Sequence, residues 1–193
     1  MSTPDRPRLF VAVELPDAVR DAIYEAAASS RRSLAGFRFS EPEALHLTVA
    51  FVGHVDLGDV EAIEQGVASA AAELAPIPTG LTRFGSFPER GKARVLWIGL
   101  DDPAGSLVDL AAVVAARLDR FLEPGDRSYH AHITIARARR PAVVPPALLA
   151  GEVPGLRFGI DALTLFRSHL GGEAPRYERL GRWNLRARDP EVP

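Results

Sequence analysis

The stretches His46-Leu47-Thr48-Val49 and His132-Ile133-Thr134-Ile135 repeat one pattern. A histidine stands two residues before a threonine, and aliphatic residues fill the alternate positions. In an extended strand, side chains at positions i and i+2 point to the same face. Each stretch is therefore predicted to be a strand that presents an imidazole and a hydroxyl on one face and buries its aliphatic side chains on the other.

The composition is that of an ordinary globular protein. The chain has 193 residues, of which 47% are hydrophobic and 25% charged, and its formal net charge is −2. This length allows one compact domain or two small lobes, each with a buried core. A net charge close to zero means that the molecule as a whole does not attract nucleic acid by electrostatics. Lys92 is the only lysine among 23 basic residues. Arginine suits phosphate binding, although GC-rich codon usage also favours it.

The absence of cysteine excludes disulfides, thiolate metal sites and a cysteine nucleophile. It also fits a reducing compartment, so we expect a cytoplasmic protein. The polar segment 1–8 is unlike a signal peptide, and the apolar run Leu9–Val13 stops at Glu14. No apolar stretch approaches the length of a membrane span, so we expect no membrane association.

Hydrophobic spacing and turn residues predict a mixture of helices and strands without the strict alternation of a doubly wound sheet. Helices are predicted from Pro16 to about Arg32, over Asp59–Leu74, and from Pro103 to about Phe121; strands are predicted at Arg8–Glu14, Ala44–Val52, Gly80–Phe87, Arg94–Leu100, Ser128–Arg137, Phe158–Phe166 and Tyr177–Arg186. Turns are predicted at Pro124–Asp126 and Gly171–Gly172, a stiff connector at Pro141–Pro146, and a loose tail at 189–193.

A helix precedes the histidine strand in each half of the chain, and His132 follows His46 by 86 residues. This spacing indicates a coarse internal duplication. A pseudo-twofold pairing of the two halves would bring the two histidine strands to one shared cleft.

Two imidazoles and two hydroxyls in one cleft would suit concerted acid–base catalysis. The unperturbed pKa of histidine is about 6.5, so near neutral pH one ring can accept a proton while the other donates one. Threonine hydroxyls could hold the non-bridging oxygens of a phosphate between the rings. A bound anion would also raise the pKa of the histidine that acts as the acid. Phosphoryl transfer to or from an alkoxide is a reaction that needs this set of groups.

The chain resembles the two-histidine (2H) phosphoesterase superfamily, and within it the RNA 2′,3′-cyclic phosphodiesterases, also known as 2′-5′ RNA ligases. The resemblance extends over nearly the whole chain. Besides the paired HxTx motifs, it rests on the opening RLFVAVELP, on LHLTVAFVG, on the Phe87–Pro88 and Arg94–Leu100 segments, and on the closing stretch Ser168–Tyr177.

The resemblance implies an α+β fold that forms a single bilobal domain over residues 1–193, in which two pseudo-symmetric lobes with antiparallel sheets face a central groove and the helices lie outside. It implies that a 2′,3′-cyclic phosphate is opened to a 2′-phosphate without a metal or other cofactor, with His46 as the general acid and His132 as the base. Thr48, Thr134 and Arg137 would bind the phosphate. Relatives often have proline immediately before the second histidine, where this chain has Ala131. They also ligate 2′-5′ bonds in the reverse direction.

The residues leave other functions open. His130 has the same strand parity as His132, so His46, His130 and His132 could instead form a zinc site. The cleft could belong to a nucleotide- or RNA-binding module without turnover, or to a 2H enzyme specific for 2′-5′ linkages or other cyclic phosphates.

The expected substrates are RNA ends or small cyclic nucleotides, bound by a monomer that needs no obligate protein partner. An aromatic side chain could stack on the base. The candidates are Phe10, Phe51, Phe87 and Tyr129.

Overall fold

The computed structural model describes residues 6–122, 129–169 and 175–186. The strands are β1 (Arg8–Glu14), β2 (Phe37–Phe39), β3 (His46–His54), β4 (Ile77–Phe87), β5 (Ala93–Leu100), β6 (His132–Ala142), β7 (Arg157–Ile160), β8 (Ala162–His169) and β9 (Arg176–Asn184). The α-helices are α1 (Asp17–Ala26), α2 (Ala28–Ser33), α3 (Val60–Glu73), α4 (Ser106–Arg117) and the short α5 (Pro146–Leu149). None of the helices within these ranges is both long enough and apolar enough to span a membrane.

Most of the predicted elements are confirmed, and three differ. The first predicted helix is divided into α1 and α2 at Ala27, next to serines that favour helix ends over helix interiors. The predicted late strand Phe158–Phe166 is divided into β7 and β8 around Asp161. The second histidine strand begins at His132 and continues to Ala142, into the segment predicted to be a stiff connector. The predicted turns at 124–126 and 171–172 and the predicted tail at 189–193 lie outside the described residues.

The strands form one antiparallel sheet in the order β7-β4-β5-β6-β3-β1-β8-β9, with β2 paired to β6. The sheet has two halves on either side of the contact between β3 and β6, and that contact has a single register pair, Leu47 opposite Ile133. Outward from it, β5, β4 and β7 follow on one side, and β1, β8 and β9 follow on the other. The two histidine motifs therefore lie at the pseudo-twofold centre of an antiparallel α+β fold, as predicted.

The helices pack on the sheet face that carries Leu47 and Ile133. Around Leu47, the core includes Val67 of α3 and Val114 of α4, whereas around Ile133 it includes Ile23 of α1. Helix α4, which precedes β6 in the chain, therefore packs in the core of the β3 half. Helix α1, which precedes β3, packs in the core of the β6 half. This interleaving ties the two halves of the sequence together.

Candidate active site

The side chains of His46, Thr48, His132 and Thr134 lie on the sheet face opposite the helices. Leu47 and Ile133 are buried, whereas the residues on either side of each are only half-buried. In an antiparallel pair, the register of Leu47 with Ile133 places His46 opposite Thr134 and Thr48 opposite His132. The two histidines are then diagonal neighbours, for which the usual separation is about 7–8 Å. The folded chain thus brings the two predicted catalytic residues together.

Both histidines are held by the same backbone hydrogen bond. Nδ1 of His46 lies 2.8 Å from the carbonyl oxygen of Ala44, and Nδ1 of His132 lies 2.7 Å from the carbonyl oxygen of His130. A carbonyl can only accept, so each Nδ1 carries a hydrogen and donates it. In the neutral rings, the other nitrogen, Nε2, is therefore left without a hydrogen and can accept a proton.

Aromatic rings surround each imidazole. The His46 ring centroid lies 5.1 Å from that of Phe10 and 5.2 Å from that of Tyr177, which meets it edge-on. The His132 ring lies 5.1 Å from Phe87, also edge-on, and 6.2 Å from Trp97. These contacts fix the orientation of both rings and keep water from much of their surface.

The pKa of His46 is lowered to about 4, chiefly because the ring is shielded from water; the positive charges of Arg137 and His132 also lower it, and the hydrogen bond to the Ala44 carbonyl acts in the opposite direction. The pKa of His132 is also lowered, first by burial and then by the charges of His130 and Arg137, while its bond to the His130 carbonyl acts in the opposite direction. Without a bound anion, both rings are therefore neutral at pH 7.

Arg137 reaches the same face as the histidines because β6 contains a bulge. Strict alternation from His132 would place Arg137 on the helix side of the sheet. In the pairing with β5, however, Thr134 and Ala136 lie opposite adjacent residues, so Ile135 is an extra residue. A bulge of this kind shifts the alternation by one position. Arg137 consequently lines the cleft, where its charge acts on both imidazoles.

The first motif has a bulge at the equivalent position. In the pairing with β1, Ala50 and Thr48 lie opposite adjacent residues, and Val49 is extra. Phe51, which follows His46 by five residues as Arg137 follows His132, is thereby brought to the cleft. Its side chain is 55% exposed, and the guanidinium of Arg8 lies 5.9 Å from its ring centroid.

A cleft of about 850 Å³ opens along this face. Of the predicted site residues, His46, Thr134 and Arg137 are among those that line it. Thr48 and His132 are not among the residues that line the cleft. The backbone carbonyl of Thr48 accepts a hydrogen bond from the Tyr129 hydroxyl, at 3.1 Å. Among the lining residues that the sequence interpretation did not select for the site are Arg8, Arg38, Arg176 and Tyr177.

The aromatic candidates fall into different classes. Phe10 is only 2% exposed, Phe87 packs against Trp97 and His132, and the hydroxyl of Tyr129 is bonded to Thr48. Phe51 is the candidate that combines exposure with a place in the cleft.

His130 is exposed, with its ring 4.9 Å from that of Trp97. Within residues 6–122, 129–169 and 175–186, no three His, Cys, Asp or Glu side chains are grouped as a metal site requires, and this includes the three histidines of the zinc alternative.

Glu14 was also missed by the sequence interpretation. It lies opposite His46 in the β1–β3 register, accepts a hydrogen bond from Thr164 at 3.1 Å, and forms an ion pair with Arg179 at 2.7 Å. These contacts join β1, β8 and β9 beside the His46 imidazole. The two partners are more than a hundred residues away in the chain, so local sequence carries no signal for them.

Known proteins resemble this chain in both sequence and structure. The profile of the 2′-5′ RNA ligase superfamily matches residues 15–172. An RNA 2′,3′-cyclic phosphodiesterase of Thermus thermophilus is 35% identical over 190 residues, which cover 93% of this chain and 90% of the relative. A protein of the same name from Escherichia coli is 32% identical over 191 residues, covering 96% and 99%.

Solved structures agree with this assignment. The crystal structure of a Thermus thermophilus protein superposes with a TM-score of 0.83 at 30% identity and covers 94% of this chain and 100% of that one. Escherichia coli LigT complexed with 3′-AMP superposes with a TM-score of 0.78 at 25% identity and covers 94% and 99%. The chain therefore belongs to the 2′-5′ RNA ligase superfamily.

Proposed function

We propose that this protein hydrolyses the 2′,3′-cyclic phosphate of an RNA end or a small nucleotide to a 2′-phosphate, without a metal ion. The main support is that two imidazoles, oriented by equivalent backbone hydrogen bonds, lie as diagonal neighbours beside the cleft that Arg137 lines. The relatives named RNA 2′,3′-cyclic phosphodiesterase support the same substrate class.

In the proposed reaction, Nε2 of His132 accepts a proton from water as the water oxygen attacks phosphorus. The bond from phosphorus to the 3′-oxygen breaks, and protonated His46 donates its Nε2 proton to that oxygen. The products are a 2′-phosphate and a free 3′-hydroxyl. His132 ends protonated and His46 neutral, so exchange with solvent restores the starting state.

This reaction requires a protonated His46, although the pKa of that ring is about 4 in the empty cleft. A phosphate bound beside the ring favours the charged form and raises this pKa. The phosphate also pairs with Arg137, which offsets the positive charge that acts on both rings. Substrate binding thus prepares the acid.

Thr134 and Arg137 are assigned to the non-bridging oxygens of the phosphate, since both line the cleft. Thr48 has the same role in the proposal but a less accessible position. Phe51 is assigned to stacking on the base, because an exposed aromatic ring binds bases with little sequence preference. Ligation of a 2′-5′ bond is the reverse of the same step and is proposed as a side activity.

All the residues assigned to the site belong to one chain, and this supports a monomer as the active form. The interleaved helices support treating the described residues as one domain. We further propose a cytoplasmic location without an obligate protein partner. Light scattering of the purified protein tests the monomer: a mass near 20.8 kDa is expected, and a stable dimer would contradict it.

The activity is tested with a 2′,3′-cyclic mononucleotide and with an oligoribonucleotide that ends in a cyclic phosphate, both in the presence of EDTA. The expected product is the 2′-phosphate. A 3′-phosphate would reverse the assignment of the leaving oxygen, and binding without turnover would favour the non-catalytic module. Activity lost in EDTA and restored by zinc would favour a metal hydrolase. Turnover of 2′-5′ linkages alone would favour the other 2H specificity.

A further inference from the structure

Arg38 lies directly opposite Arg137 in the pairing of β2 with β6. Residues directly opposite in an antiparallel pair point to the same face, and both of these arginines line the cleft. Like charges in this position repel and destabilise the sheet. The lining residues also include two carboxylates, Glu41 and Glu43, and neither forms an ion pair with Arg38 or Arg137 in the described part of the chain.

Several arginines outside the cleft are paired with carboxylates. Arg6 lies 3.0 Å from Asp56, Arg157 lies 3.1 Å from Asp101, and Arg179 lies 2.7 Å from Glu14. The cross-strand pair of Arg38 and Arg137 has no such carboxylate partner within the described residues. Its repulsion is removed when anions bind, as expected of a site that holds more than one negative charge.

The two arginines are placed differently relative to the histidines. The charge of Arg137 is among those that act on both imidazoles and on Tyr177. Arg38 stands on the other strand of the pair, on the β2 side of the cleft. A phosphate held between the histidines is thus attracted by the positive charge of Arg137. Arg38 remains available to bind a second anion.

We propose that Arg38 binds the phosphodiester on the 5′ side of the terminal nucleotide, and that it thereby favours an RNA end over a cyclic mononucleotide. This inference rests on the proposed function, which supplies the terminal cyclic phosphate. A mononucleotide has no phosphate at this position, whereas every longer RNA end has one.

The test compares a dinucleotide and a mononucleotide that both end in a 2′,3′-cyclic phosphate. For Arg38→Gln, we expect the ratio of kcat/KM for the dinucleotide to that for the mononucleotide to fall about tenfold, as for loss of a charge-assisted hydrogen bond. Arg38→Lys should restore part of the ratio. The slope of log kcat/KM for the dinucleotide against log salt should become shallower by about 0.7, the value for one phosphate contact on a single strand.

Arg120→Gln is the matched control, because it removes one exposed arginine that follows α4 and lies outside the cleft lining. It should leave the ratio unchanged. Relief of the repulsion with Arg137 predicts that Arg38→Gln does not lower the Tm.

If Arg38→Gln left the ratio of the two kcat/KM values unchanged, the inference would be overturned. This holds whether kcat/KM falls equally for both substrates or for neither. Wild-type protein that turns over neither substrate would instead contradict the proposed function. In that case, calorimetric binding of the intact dinucleotide still tests Arg38: weaker binding by Arg38→Gln supports the second phosphate site, and equal binding overturns it.

Discussion

The β3 and β6 histidine motifs have equivalent backbones but different side chains at the position five residues after the histidine. Both donate Nδ1–H to the carbonyl two residues earlier, and both have a bulge three residues after the histidine. The bulge brings Phe51 to the cleft in one motif and Arg137 in the other. The shared backbone orients two imidazoles alike, and the same position five residues later presents an aromatic ring to the cleft in the β3 motif and a guanidinium in the β6 motif.

This comparison predicts the placement of the substrate. Its phosphate lies toward the β6 side, where Arg137 and Thr134 can contact it, and its base lies toward the β3 side, where Phe51 is exposed.

The largest effect on turnover is expected from the histidine that each motif contains. His46→Ala and His132→Ala should each lower kcat on a 2′,3′-cyclic nucleotide by about 10²–10⁴, since each removes one proton-transfer group. Circular dichroism should show that both variants remain folded. His54→Ala is the matched control, because His54 ends the same strand as His46 and its ring is bonded to the carbonyl of Arg6. Near-native turnover by either motif variant would contradict the assigned roles.

A smaller effect is expected at the charged position. Arg137→Gln should lower kcat/KM by about 10- to 100-fold, the range for a lost hydrogen bond to a charged group. Arg137 lowers the pKa of both histidines, so its removal should raise both values. The acidic limb of the kcat/KM profile, where the base becomes protonated, should then move to higher pH. A profile at the wild-type position would show that Arg137 does not act on the catalytic rings.

At the aromatic position, Phe51→Ala should raise KM for a cyclic nucleotide about tenfold and leave kcat nearly unchanged, because stacking on a base contributes about 1–3 kcal/mol. Leu57→Ala is the control: Leu57 is 59% exposed but lies outside the cleft. The critical comparison is a ribose 2′,3′-cyclic phosphate that has no base. If Phe51→Ala raised KM equally for that compound, base stacking would be excluded.

The smallest difference is expected between the two threonines. Thr134→Val should lower kcat/KM about fivefold, the effect of one hydrogen bond. Thr48→Val should lower it less, because Thr134 lines the cleft and Thr48 does not. Steady-state kinetics on one substrate ranks the two variants. A larger loss in Thr48→Val would show that the phosphate lies on the side of the cleft opposite to the one proposed.

Local sequence was sufficient for the side-chain arrangement within each motif. The alternation of His46, Leu47 and Thr48 follows from strand geometry, and buried Leu47 and Ile133 confirm it. The partner strands could not be predicted in the same way, because the pairing of Leu47 with Ile133 joins distant parts of the chain. Helix spacing likewise showed that α1 and α4 have apolar faces, without indicating that each packs in the core of the opposite half.

The bulges limited what alternation could predict. Arg137 was selected by the family resemblance alone. It follows His132 by an odd number of residues, so strict alternation would have placed its side chain on the face away from the cleft. Ile135 and Ala136 are both buried and apolar, so the sequence has no local mark of the extra residue. Phe51 could be named as an aromatic candidate, but its exposure depends on the equivalent bulge at Val49.

The central claim is that both imidazoles act on one phosphate, and NMR titration of the two rings tests it most directly. In the free protein, the pKa of His46 should be about 4 and that of His132 below 6.5. On saturation with a nucleotide 2′-phosphate, both pKa values should rise, and the nucleotide should bind more tightly as the pH falls from 7 toward 5. A rise at only one ring, or at neither ring while the nucleotide binds, would contradict the account.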